Sequence, residues 1–149
     1  MATIQLPPDF KEFLRLFHKH NVEYLLVGGY AVGYHGHPRT TGGMDVWVST
    51  TPENAERIVA ALKEFGFDVP GLAPDLFLKS HNVVRMGVPP LQIQTASTVS
   101  GVEFDECFKD RVKGQLDGIE VTLISLKHLK LNKKAAGRAR DLADLENLP

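Results

Sequence analysis

The stretch that decides the fold is Glu23-Tyr-Leu-Leu-Val27-Gly28-Gly29, followed after a spacer by Gly43-Met44-Asp45-Val46-Trp47-Val48. The first apolar run is short and closed by two glycines, which predicts a buried strand ending in a turn. Tyr30 to Gly36 has the length of two helical turns. Met44 to Val48 then predicts a second strand, in which Asp45 is the one charge among apolar neighbours. A carboxylate at such a position must be paired, hydrogen-bonded or put to use, because leaving it bare is costly.

Upstream, Phe10, Phe13, Leu14 and Phe17 recur at helical spacing while Lys11, Glu12, Arg15 and Lys19 fill the other face. This predicts an amphipathic helix, with Asp9 as its N-cap and a stop near Asn21. Downstream, Thr51-Pro52-Glu53 places a hydroxyl cap, a proline and an acid at a helix start, and the helix should run to about Phe65. Asn82–Gly87 and Leu91–Thr95 predict two strands. The Val88-Pro89-Pro90 link between them is too short for a crossover, so they should pair antiparallel. A helix over Val102–Val112, a strand over Gly118–Ile124, a helix capped by Ser125 and a last helix over Arg138–Leu148 complete the order. The expectation is a single α/β (α+β) domain over residues 1–149, a mixed β-sheet flanked by helices.

Composition narrows the functions open to it. Seventeen Lys and Arg against 18 Asp and Glu, mixed along 149 residues, give a net charge of −1 and argue against nonspecific adhesion to nucleic acid or an anionic membrane. A local basic groove for nucleic acid stays open. Cys107 is the only cysteine, so neither an intramolecular disulfide nor a cysteine-rich zinc site can form. The first twenty residues break every apolar stretch with charge or proline, and the expected setting is cytoplasmic, away from membranes.

The glycine pair, its spacing to the Met44-Asp45 strand, the Pro38-Arg39-Thr40 approach, the Glu53-Asn54-Ala55 helix and the tail Lys133-Lys-Ala-Ala-Gly-Arg138-Ala-Arg-Asp141 together resemble a known family. It is the nucleotidyltransferase-like proteins of the DNA polymerase beta superfamily, which include minimal nucleotidyltransferases and many toxin–antitoxin components. The resemblance implies a nucleotidyltransferase-like fold that moves a nucleoside monophosphate from a Mg-NTP to a hydroxyl acceptor. It implies phosphate contact at Gly28 and Gly29, and a phosphate-side role for Arg39 and Lys133. It also implies three carboxylates holding two Mg²⁺ ions, which polarise the α-phosphate and activate the nucleophile.

Two of those three acids are replaced. The first falls at Gly43 and the third at Gln94, leaving Asp45 as the sole catalytic and metal-binding carboxylate. Glycine offers no ligand, and a neutral amide is a poor one for Mg²⁺. The expectation is therefore weak or lost Mg²⁺ binding and little or no ordinary transfer, with an NTP as a candidate ligand. The alternative is a noncatalytic interaction module, such as a toxin–antitoxin subunit with a protein partner.

Other residues carry plainer readings. Asp45 suits either metal or nucleotide contact or simple pairing, for instance with Arg39. Lys133 suits either the triphosphate or a salt bridge, while Asp141 and Asp144 suit helix-end pairing. Lys127, Lys130, Lys133 and Lys134 predict a solvated basic face on one helix. His18-x-His20 and His35-x-His37 lack nearby acid or cysteine partners, which disfavours zinc, although His35 could contact a nucleotide. Cys107 reads as a half-buried helix residue.

Overall fold

A computed structural model of the chain describes residues 4–149. Six strands form one sheet: β1 (Tyr24–Val27), β2 (Gly43–Val48), β3 (Val83–Met86), β4 (Gln92–Ala96), β5 (Val112–Leu116) and β6 (Ile119–Leu123), in the order β3-β4-β2-β1-β6-β5. The sheet is mixed. β1 pairs antiparallel with β2 and parallel with β6, β2 pairs parallel with β4, and the β3–β4 and β5–β6 pairs are antiparallel hairpins. All four residues of β1 are buried, as its unbroken apolar run requires of a central strand.

Six α-helices surround the sheet among the described residues: α1 (Pro8–Lys19), α2 (Gly28–Tyr34), α3 (Pro52–Phe65), α4 (Phe104–Lys109), α5 (Leu126–Ala136) and α6 (Ala139–Asn147). None is long and apolar enough to cross a membrane. The core joins Phe10, Phe13 and Phe17 of α1 to Leu25 and Leu26 of β1, Met44 and Trp47 of β2, and Ile58 and Leu62 of α3. α3 follows its expected bounds. Thr51 accepts a hydrogen bond from the Asn54 N–H at 3.3 Å, and Gly66 closes the helix in the left-handed region at φ 101°. Ser125 caps α5 in the same way, accepting from the His128 N–H.

Several boundaries differ from expectation, each for a physical reason. α1 starts at Pro8 rather than after an Asp9 cap. The proline has no N–H to leave unpaired in the first turn, and the Pro7 carbonyl accepts from Phe10 and Lys11. α2 begins at Gly28, so the glycine pair is the helix start itself and not a turn before it. α4 stops at Lys109, and β5 occupies a segment for which no strand was expected. Lys113-Gly114-Gln115 has weak strand propensity, yet Asp117-Gly118 is a two-residue hairpin turn with both residues at positive φ, 50° and 75°. Cys107 is fully buried rather than half-buried.

Candidate functional site

The sheet brings the separated pieces of the site together through register. Asp45 on β2 lies opposite Val27, the last residue of β1, and beside Gln94 on β4. Gly28 follows Val27 at φ 69°, and its Cα lies against the Asp45 carboxylate so closely that a Cβ there would overlap Oδ2. Only glycine meets both conditions. Gly29 is similarly confined: a Cβ would come within 2.7 Å of Thr41. These contacts bound an open cleft of about 540 Å³ at the mouth of α2, lined by Gly28, Gly29, Asp45 and Gln94 on one side and by Lys133, Arg138 and Arg140 on the other.

Around Asp45 the hydrogen bonds run in a chain. The Gln94 amide nitrogen donates to Asp45 Oδ1 at 2.9 Å, and Arg85 Nε donates to the Gln94 amide oxygen at 2.9 Å. Burial pushes the Asp45 carboxyl above its ordinary range. The Gln94 hydrogen bond and the positive charges of Arg140, Lys133 and Arg138 only partly offset this.

At Gly43, the expected first-acid position, the β2–β4 pairing is closed. Its register partner is Gln92, and a Cβ at 43 would fall far inside van der Waals contact of the Gln92 carbonyl oxygen. The absent acid thus goes with a backbone approach that leaves no room for a side chain.

The tail builds a second charge network beneath the cleft. Arg39 grips Asp144 with Nε and Nη2 at 2.6 and 2.7 Å, a bidentate pair. Lys133 Nζ lies 3.0 Å from Asp144 and 3.2 Å from Asp141, and Arg138 Nε donates to Asp141 at 2.6 Å. Burial alone would raise the Asp144 carboxyl, but the hydrogen bonds from Arg39 and Lys133 outweigh it and hold it at about 2.

These contacts correct several expectations. Arg39 pairs with Asp144 and not with Asp45, because the bidentate fit is available only on α6. Lys133 does not share a solvated face with Lys127, Lys130 and Lys134. It is buried, drawn inward by two carboxylates. His35 Nε2 donates to the Ile124 carbonyl at 2.7 Å and does not line the cleft. His18 bonds Tyr24 and His20 bonds Glu64, each ring held by a neighbour in the fold.

Two residues of the site escaped the sequence reading. Arg85 stands behind the cleft lining, opposite Gln94 in the β3–β4 register and hydrogen-bonded to it, and Arg140 lines the cleft two residues beyond Arg138 in the tail.

A solved structure of a putative nucleotidyltransferase from Thermotoga maritima superposes with a TM-score of 0.65 at 12% identity, covering 96% of this chain and 94% of that one, which shows the shared fold. No curated protein matches. The family model for aminoglycoside-2''-adenylyltransferase matches residues 9–148, nearly the full span of elements just described. On that match, the chain belongs to the aminoglycoside-2''-adenylyltransferase family, within the nucleotidyltransferase superfamily.

Proposed function

We propose that this protein is a nucleotide-binding member of its family that has given up ordinary nucleotidyl transfer. The observation that carries the reading is the hydrogen-bonded Asp45–Gln94 pair at the centre of a cationic cleft. The family chemistry uses Mg²⁺, and the residues present do not fit two such ions. Mg²⁺ asks for oxygen ligands, usually one or two carboxylates plus phosphates. Here Gly43 supplies none, and Gln94 turns an N–H donor toward the one carboxylate that remains. Losing a positioned metal removes several kcal/mol of transition-state stabilisation, at roughly tenfold in rate for each 1.4 kcal/mol.

The family name points to an adenine nucleotide as the donor and an aminoglycoside as the acceptor. The nucleotide suits the cleft. Gly28 and Gly29 allow close approach of a phosphate, and Arg138 and Arg140 bring positive charge to its rim. Lys133, already held by two acids, supports Asp141 and Asp144 and acts on a ligand through its field alone. A polycationic acceptor suits this cleft poorly, because Asp45 is the only acid lining it among the described residues. That cationic lining also favours a nucleotide ligand over a bare partner-binding module of toxin–antitoxin type.

The test is a calorimetric titration of the folded protein with ATP and GTP, joined to an assay for nucleotidyl transfer. Saturable binding with turnover near the detection floor is expected. Turnover within the ordinary enzyme range, about 1 s⁻¹ or faster, refutes the loss of catalysis. Absence of any binding refutes the nucleotide reading.

A further inference from the structure

The Gln94 amide has a fixed orientation, and that orientation selects what the cleft can hold. Its oxygen accepts from Arg85 Nε and its nitrogen donates to Asp45, each at 2.9 Å. Turning the amide over would set its NH₂ against a guanidinium, which has no acceptor, and its oxygen against a carboxylate. Arg85 therefore keeps an N–H group aimed at the place where a metal ligand would be needed. The amide nitrogen has two hydrogens, and the one not used on Asp45 is free for an oxygen of a ligand in the cleft that Gln94 lines. Positive charge is already in place. Arg140, Lys133 and Arg138 act on Asp45 through space, and the Arg138 side chain is 62% exposed despite its bond to Asp141. At Gly43, the Gln92 carbonyl leaves no space for a second acid that could attract an ion.

We propose that the cleft binds the polyphosphate of a nucleotide free of divalent metal, with the Arg85-held Gln94 amide and the Arg138 and Arg140 guanidinia standing in for the ion. This rests on the nucleotide reading and adds to it the ionic form of the ligand. A metal-free polyphosphate carries more negative charge than its Mg²⁺ complex, so it matches fixed guanidinia better. Arg85 is a positioning residue here: it acts through Gln94.

The experiment is calorimetric titration with ATP, once in excess EDTA and once in saturating Mg²⁺, at constant ionic strength. The wild-type protein should bind in EDTA, and Mg²⁺ should leave the affinity unchanged or lower it. Tightening by Mg²⁺ of about tenfold or more overturns the proposal while leaving nucleotide binding intact. Binding in neither condition, from protein shown to be folded, overturns both. Two variants read the relay directly. Arg140→Ala should weaken binding in EDTA more than in Mg²⁺, and the opposite order counts against the charge substitution. Arg85→Ala frees the amide to turn its oxygen outward, and Gln94→Asp places a second carboxylate beside Asp45. Both should move the protein toward Mg²⁺-enhanced binding, and an unchanged Mg²⁺ response in both removes the relay from the explanation.

Discussion

Replacing Gly43 by alanine tests whether the family's first acid position is still open. The β2–β4 ladder sets Gly43 beside Gln92. A Cβ there would overlap the Gln92 carbonyl oxygen and lie 2.9 Å from its carbon and 3.2 Å from its Cβ. The obstacle is largely backbone, so no side-chain rotation relieves it and the two strands must shift. Overpacking of this kind costs about 1–3 kcal/mol. An alanine also reduces the freedom of the unfolded chain, which offsets about 0.4–1 kcal/mol. A net loss of about 1–2 kcal/mol remains, or roughly 2–8 °C in melting temperature for a chain of this length. Thermal and urea unfolding of wild type and Gly43→Ala measure it. The sign is decisive: an unstrained strand glycine gains stability on becoming alanine, so a variant as stable as the parent refutes the closure. Gly43→Asp should lose more, since its carboxylate would also crowd Asp45 on the same strand face. The practical consequence is that restoring an acid at Gln94 is sterically simple, while restoring one at Gly43 is not.

The remaining predictions concern the charge network and the thiol. Removing the Asp144 carboxylate by Asp144→Ala takes the bidentate partner from Arg39 and leaves the buried Lys133 with Asp141 alone, and should cost about 3 kcal/mol by urea denaturation, the lower end for breaking a buried pair. The same carboxylate makes stability fall in acid. Its folded pKa of about 2 lies below the ordinary 3.8, so its contribution is complete above about 3.8 and disappears as the pH drops through about 2. That contribution is about 2 kcal/mol, and the stability gap between wild type and Asp144→Asn should shrink over this window. Cys107 is fully buried, and burial reinforced by Glu106, Asp110 and Glu103 pushes its thiol to about 11. It should resist a thiol reagent at neutral pH in the folded protein and react fully once unfolded.

Periodicity and capping carried much of the architecture in the sequence. The Thr51-Pro52 start, the Ser125 cap and the Phe10-Phe13-Phe17 stripe are local signals, and each element they predict lies where its own residues place it. β5 was not legible from its own composition, because a Lys-Gly-Gln strand gains its stability from pairing with β6 rather than from propensity. The Asp117-Gly118 turn was the signal available for it. At the site, the glycine pair and Asp45 stood out because their local patterns are unusual. Partnerships were another matter. Arg39 and Asp144 lie 105 positions apart, and nothing in either neighbourhood says that one will find the other instead of Asp45. The inward turn of Lys133 was hidden for the same reason: helical spacing puts it among exposed lysines, and only the packing of α6 supplies the acids that draw it in.

The grip of Arg39 on Asp144 also has a temporal side. Strands β1 and β2, with the glycine start of α2 between them, leave the ribosome before α6, and their pairing needs only nearby residues. Arg39 must wait for about a hundred more residues before its acid arrives on α6. A nascent chain can thus build its central hairpin and hold an uncompensated guanidinium beside it until the last helix docks. Docking of α6 neutralises Arg39 and Lys133 in one step, which makes that helix the latch that fixes both cations at the cleft.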